Sequence, residues 1–502
     1  MKRRFVSTRG RQQPVSAKTA VKQGLAIDHG LFVDPNLGQE KINLTELLPL
    51  DYQQLAQNIL YLLLPDFTPT ELTQAVHNAY YQNFDTTKIT PLHTINDCHV
   101  LELWHGPTSA FKDIGLQLLP HLMQLALEKN EHSLVLTATS GDTGKAALEG
   151  FKNINNVGIS VFYPEGGVSD IQEKQMLTTA GENTSVAAIT GNFDDAQRHV
   201  KEIFTNETFK ETLANDLHLS SANSINVGRL APQVVYYFSA YQQLVKQGEI
   251  AQGDFVNFTV PTGNFGDVLA GYYAKLLGLP IKKLIVAANA NNVLTDFFKT
   301  GIYDRQRPFL HTFAPSMDIQ VSSNLERLLY YESGLDSAYI DQLMNQLETN
   351  GHYQVSDKLL QNLQRDFACG FSSDHDIQIA IKEVYEEQGY LMDPHTAAGY
   401  HVMRDYQKHD QTPMILLATA SPYKFVETTA PAILPDVDKA SNSFDLIQRL
   451  ADYTNTPVPD NLARLHDLPI RHKNILSSEK MQTYVKKQAE VIFNVQNQSA
   501  CY

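Results

Sequence analysis

Ser133-Leu134-Val135-Leu136-Thr137-Ala138-Thr139-Ser140-Gly141-Asp142-Thr143-Gly144-Lys145 is the stretch that decides the fold class. A β-type run, Ser133 to Thr137, empties into a glycine turn, and an amphipathic helical pattern follows from Gly144 to Lys152. The unit recurs downstream. Runs at Asn156 to Tyr163 and Thr184 to Ile189 alternate with helical segments at Ser169 to Ala180 and Phe193 to Phe204. This is the β-α-β-α rhythm of a parallel sheet covered by helices on both faces. A long helical segment, Arg229 to Gln247, leads to a second set: strand Asp254 to Val260, helix Asp267 to Leu277, strand Lys283 to Ala288 and a last buried strand at Pro413 to Ala418. The expected class is α/β, with two parallel-sheet lobes and a crevice between them.

Upstream, Tyr52, Leu55, Ile59 and Leu63 keep helical spacing, Pro65-Asp66 breaks it, and Pro69-Thr70-Glu71 opens a second helix. The domain expectation is therefore a small helical N-terminal unit over 1–92, the two lobes over 93–425, and an extension over 426–502 that packs on the surface. A chain of 502 residues is too long for one hydrophobic core. With 43% hydrophobic and 19% charged residues it has ordinary globular composition. Its formal charge of -15 repels nucleic acid and anionic lipid at long range, so an anionic ligand has to be held by local donors.

Cys98, Cys369 and Cys501 are far apart and without a C-x-x-C pair, which fits a reducing compartment and no structural metal. No apolar segment follows Lys2, Arg3 and Arg4, and no run is long enough to span a bilayer, so a cytoplasmic protein is expected.

Three features carry chemistry. The first is the Ser140 to Lys145 turn, whose glycines let backbone N–H groups and a helix N-terminus converge on an anion. The second repeats the arrangement: strand Val256 to Pro261, loop Thr262-Gly263-Asn264-Phe265-Gly266-Asp267, then a helix. Neither loop is a P-loop or a G-x-G-x-x-G dinucleotide fingerprint, which weakens a nucleotide-binding reading. The third is Leu103-Trp104-His105-Gly106-Pro107-Thr108-Ser109-Ala110-Phe111-Lys112-Asp113, which sets a lysine at the start of a helix. The helix dipole and partial burial both disfavour an ammonium there, and a neutral amine is what condensation with a carbonyl requires. The plainer alternative is a surface lysine paired with Asp113.

Taken together the motifs resemble the threonine synthase family, in the fold-type II, tryptophan synthase β-like group of pyridoxal-phosphate enzymes. The matching pieces are Ser7 to Gly10, His105 to Thr108, Ala110 to Asp113, Thr139 to Gly144, Asn223 to Asn226 before Arg229, Pro261 to Asp267, Ser322 to Asn324 with Glu326-Arg327, and Asp393 to Tyr400. They occur in family order over nearly the whole chain. The resemblance implies that Lys112 is the catalytic lysine and forms the internal aldimine with pyridoxal 5'-phosphate. It implies that Gly263, Asn264, Phe265, Gly266 and Asp267 hold the cofactor phosphate, and that the Thr419 hydroxyl meets the pyridine nitrogen.

For the substrate it points to Ser140, Gly141, Asp142 and Thr143, with Arg9, Ser323, Asn324 and Arg327 as further contacts; Arg229 and Lys145 are added as candidate anion holders. Ser421 stands where many relatives carry histidine, and Tyr423 where many carry a small residue.

The implied reaction converts O-phospho-L-homoserine and water to L-threonine and phosphate, the last step of threonine biosynthesis. The implied partner is that small molecule alone, for a monomer or homodimer. Another fold-type II enzyme, such as a hydroxy-amino-acid dehydratase or a β-replacement enzyme, is the competing catalytic reading. A non-catalytic paralogue and a nucleotide module are the readings from other classes.

Overall fold

The computed structural model describes residues 3–438 and 441–499; Cys501 lies outside them. Among the described residues two large sheets form, one in each lobe. The first has strands His132–Ala138, Val157–Pro164 and Thr184–Thr190 with Leu217–Ser220 on one edge, all parallel. Its middle strand Val157–Pro164 is buried at every position, which is why the run reads as continuously apolar rather than alternating. The second sheet runs in the order Phe367–Phe371, Ile281–Ala288, Val256–Pro261, Met414–Ala418, Cys98–Glu102, Leu92–Ile95. Only its edge strand Leu92–Ile95 pairs antiparallel. The α/β class and the two-lobe plan expected from the sequence are both present.

Helices lie where the periodicity places them. Helix Tyr52–Leu63 starts at an Asp51/Gln54 capping box, and helix Pro69–Tyr80 at a Thr68/Glu71 box with proline in its first turn. They do not form a separate body. Leu55, Ile59 and Leu60 share one continuous core with Leu116 and Leu119 of helix Lys112–Ala126 and with Val234 and Tyr237 of helix Val227–Gln247. Gly115 is required at one crossing, since a Cβ there would meet the Arg229 carbonyl oxygen at 2.8 Å.

The chain beyond Phe425 departs from the expected surface extension. Strand Asn474–Ser477 pairs parallel with Thr184–Thr190 and becomes the outer strand of the first sheet. Behind it Met481, Val485, Ile492 and Phe493 pack on Leu134, Leu136 and Phe162. The segment completes the first lobe by covering a sheet face that would otherwise meet water. A short apolar strand in a polar tail carries no periodic signal, because its burial is set by the sheet it joins. Among the described residues no helix is long and apolar enough to cross a membrane, and no group of His, Cys, Asp or Glu side chains is placed to hold a metal ion.

Candidate active site

Three of the functional segments leave the carboxyl end of a parallel strand, the usual ligand position in open α/β sheets. The Ser140 turn follows His132–Ala138, the Gly263 loop follows Val256–Pro261, and Thr419 follows Met414–Ala418.

Lys112 is the first residue of helix Lys112–Ala126, and its side chain is almost wholly buried. It does not pair with Asp113. That carboxylate turns back to accept the Thr108 N–H at 2.8 Å and hydroxyl at 2.7 Å, and burial lifts its pKa to about 6. Lys112 Nζ instead donates across the crevice to Asp142 Oδ2 at 3.1 Å. Burial pushes the Lys112 amine below its ordinary pKa, the nearby Asp142 opposes that, and the positive Lys424 and Arg229 add to it. Asp142 has the opposite fate. Burial would raise its pKa, but Lys112, Lys424 and the Gln172 hydrogen bond act together against burial and hold it ionised well below the usual carboxylate range.

The Asp142 carboxylate is also gripped by Gln172 Nε2 at 2.9 Å and the Ser316 hydroxyl at 3.0 Å. Thr139 shapes the turn, its Oγ1 accepting the N–H groups of Gly141 and Gly144 at 3.0 and 2.9 Å. Among the described residues the N–H groups of Ser140, Asp142 and Thr143 have no acceptor within the protein. The same holds for the N–H groups of Gly263, Asn264, Phe265, Gly266 and Asp267. Phe265 is left-handed at φ 61°, which turns this second run of donors inward ahead of helix Gly266–Leu276. Asp267 closes it: Tyr236 and Tyr237 donate to Oδ1, Oδ2 is buried without a partner, and burial raises the carboxyl to about 7.

Thr419 is tied through its backbone to the residue before Lys112. Its carbonyl accepts the Phe111 N–H at 2.8 Å, and its hydroxyl makes no hydrogen bond within the described residues. Ser421 and Tyr423 make their contacts elsewhere. Ser421 accepts the Tyr423 N–H, and Tyr423 packs beside Ile171 and Val426 with its hydroxyl on Thr456.

The outer residues divide. Asn324 donates to the Asn264 carbonyl at 2.9 Å and accepts from Arg327, so it braces the Gly263 loop, while the Ser323 hydroxyl lies 3.5 Å from Asn264 Oδ1. Arg327 is fully buried and spends all its nitrogens on Phe32 O, Asn324 Oδ1 and Ile225 O. Arg9 is paired with both oxygens of Glu326. Lys145 faces away from Lys112, bonded to Glu149 and Thr179. Arg229 differs from all of these. Its side chain is buried, donates only to the Ala222 carbonyl among the described residues, has no carboxylate partner, and is lowered by burial to about 10. His395 is a satisfied core residue, placed between Asp393 Oδ1 at 2.7 Å and the Ser316 N–H at 3.1 Å.

Comparison with known proteins is in register with this geometry. Residues 4–80 match the family described as threonine synthase N terminus, 85–342 pyridoxal-phosphate dependent enzyme, and 396–485 threonine synthase, C-terminal. A threonine synthase of Pseudomonas aeruginosa is 37% identical, over 94% of this chain and 99% of its own. The chain belongs to the threonine synthase family. A crystal structure of pyridoxal-phosphate-bound threonine synthase from Brucella melitensis superposes with a TM-score of 0.86 at 35% identity, covering 97% of this chain and 99% of that one. Human threonine synthase-like 1 is 41% identical over 88% of this chain, and the match spans 62% of that longer protein.

Pyridoxal phosphate is the cofactor of the family, and the residues of this crevice fit it. A run of unpartnered N–H groups at a helix N-terminus suits its phosphate, a buried amine suits its aldehyde, and a free hydroxyl at Thr419 suits its ring nitrogen. Sequence reasoning missed Lys424, Gln172 and Ser316 beside Asp142. For Lys424 the available signal was an ionisable residue inside the apolar turn Pro422–Phe425, directly after a buried strand.

Proposed function

We propose that this protein converts O-phospho-L-homoserine and water to L-threonine and phosphate, with Lys112 as the cofactor-binding and catalytic lysine. The observation that carries the reading is the meeting of a buried, pKa-lowered Lys112 with two separate runs of unpartnered N–H donors and a buried Arg229 without a carboxylate. Two phosphates and one carboxylate have to be held at once, and these donors match that demand.

In this reading Gly263, Asn264, Phe265, Gly266 and Asp267 cradle the cofactor phosphate, and Thr419 receives the ring nitrogen. Bound pyridoxal phosphate supplies an electron sink adjoining the substrate Cα. Ser140, Gly141, Asp142 and Thr143 face the substrate, with the N–H groups of the turn directed at its carboxylate. Arg229 takes the substrate phosphate, because a buried guanidinium without an anion is otherwise unfavourable. Ser323, beside Asn264, is assigned as a further substrate contact.

Arg9, Asn324 and Arg327 act through the walls, as their hydrogen bonds indicate. Once freed, the neutral Lys112 amine takes the proton from Cα. A proton then leaves Cβ as phosphate departs from Cγ, Cγ gains a proton, water adds its hydroxyl at Cβ, and Cα recovers a proton before the product is released. The substrate is a small molecule, and the expected compartment is the cytoplasm.

Incubation with O-phosphohomoserine tests this directly. Phosphate and threonine in equal amounts support it. Phosphate with a 2-oxo acid in place of threonine, or turnover of serine and threonine alone, would overturn the assignment of substrate and product.

A further inference from the structure

Lys424 is a second lysine at the heart of the crevice, and its side chain has no exposure to solvent. It sits in the turn Pro422–Phe425, and its Nζ donates to the Thr108 carbonyl at 2.8 Å while lying 3.1 Å from Asp142 Oδ1. Lys112 occupies the other oxygen of the same carboxylate at 3.1 Å. One buried carboxylate thus faces two amines. Were both protonated, the dry site would carry a surplus positive charge beside the uncompensated Arg229. The proton belongs on the amine with more acceptors. Lys424 has a carboxylate and a carbonyl oxygen within reach, whereas Lys112 has the carboxylate alone.

We infer that Lys424 is a positioning residue, the permanent counter-cation of Asp142, which lets Lys112 stand as a neutral amine without leaving a buried carboxylate uncompensated. The inference rests on Lys112 being the cofactor lysine. Other charged or ionisable groups around the pair are Asp113, Lys145, Arg229 and His395. None of these contacts Asp142 through a hydrogen bond or ion pair among the described residues, so no other cation replaces Lys424 when it is removed.

Cofactor-free protein mixed with pyridoxal phosphate over a range of pH reads the state of Lys112 without any turnover. Its nitrogen attacks the aldehyde carbon, water leaves, and borohydride then fixes the adduct for mass spectrometry. Titration of the free cofactor is common to all variants and cancels. In Lys424→Met, Lys112 becomes the sole cation on Asp142 and holds its proton, so attachment at pH 7 slows about tenfold for each unit its midpoint rises. The rate returns to the wild-type value at alkaline pH. Lys424→Arg restores the wild-type profile.

Superimposable profiles for wild type and Lys424→Met, or a loss by one factor at every pH, would overturn the inference. If Lys424→Met does not fold, Lys424→Arg still decides. A guanidinium is charged at every pH used, so a downward displacement of the Lys112 midpoint would show that the native Lys424 is the neutral partner. An adduct on some other lysine in the wild type would instead sink the assignment of Lys112.

Discussion

The Phe111 N–H donates to the Thr419 carbonyl at 2.8 Å, tying the residue before Lys112, the proposed catalytic lysine, to the residue proposed to meet the cofactor ring. A bridge between Ala110 and Ala420 and a bond from the Ser421 N–H to the Ser109 carbonyl extend the pairing. The two ends of the proposed cofactor site are therefore set by backbone, and the Thr419 hydroxyl is left without a hydrogen bond among the described residues. Thr419→Val, which keeps the volume and removes the hydroxyl, is expected to weaken cofactor retention by about tenfold, roughly the worth of one hydrogen bond. Thr419→Ser is expected to retain it. Equilibrium dialysis with visible absorbance measures both, and equal retention by valine would remove Thr419 from the site.

Gly141 adopts φ 135°, and a Cβ there would lie 2.3 Å from Gln172 Oε1. Gly141→Ala strains the turn and displaces the amide that holds Asp142. Stability is expected to fall by about 1–3 kcal/mol, with a loss of kcat/KM of a hundredfold or more. Thermal melting and steady-state kinetics report the two effects, and an unaltered kcat/KM would show that the turn does not face the substrate.

Arg229 and Arg327 should respond differently to truncation. Arg327→Ala leaves two buried carbonyls and Asn324 without their donor and is expected to destabilise the protein by about 3–5 kcal/mol, with lysine failing to rescue it. Arg229→Gln is expected to raise KM for O-phosphohomoserine ten- to a hundredfold at a smaller change in stability. Denaturant unfolding alongside KM separates a brace from a ligand contact; the reverse pattern would exchange their roles.

His105 joins Asp85 at 2.6 Å and Glu102 at 2.8 Å, with His93 also on Glu102. Burial disfavours the His105 charge, but those carboxylates prevail and raise its pKa from 6.5 to about 9. A raised folded-state pKa contributes stability that is complete below pH 6.5 and is lost as pH climbs through about 9. Burial likewise disfavours the Glu102 charge, while His105 and His93 lower it to about 2, so its contribution fades only as pH falls from 4.5 through that value. The deficit of His105→Gln relative to wild type is expected to be on the order of 1–3 kcal/mol near pH 6 and to close above about pH 9. Melting temperatures across that range check it; a deficit that does not vary with pH would mean His105 is neutral in the folded state.

Ile492→Ala probes the C-terminal helix. Ile492 is buried against the first sheet, and its truncation is expected to destabilise by about 2–4 kcal/mol. A change under about 0.5 kcal/mol would return the segment to the surface coat that its polar composition suggests.

By itself the amino-acid order determined the alternating strands and helices, the two glycine turns and the placement of Lys112 at a helix start. All of these depend on local periodicity, on backbone freedom and on chain direction. It also carried the ordered motifs that mark the family. What only the tertiary structure decided is who meets whom. Lys112 turns from its neighbour Asp113 to Asp142, thirty residues along the chain, because Thr108 has already claimed the nearer carboxylate. Arg327 and Arg229 look alike in sequence, yet one is saturated by carbonyls and the other lacks an anion. Strand Asn474–Ser477 exists only because Thr184–Thr190 presents an open edge. Hydrogen-bond competition, burial and edge pairing depend on groups brought together by folding, and no local spacing encodes them.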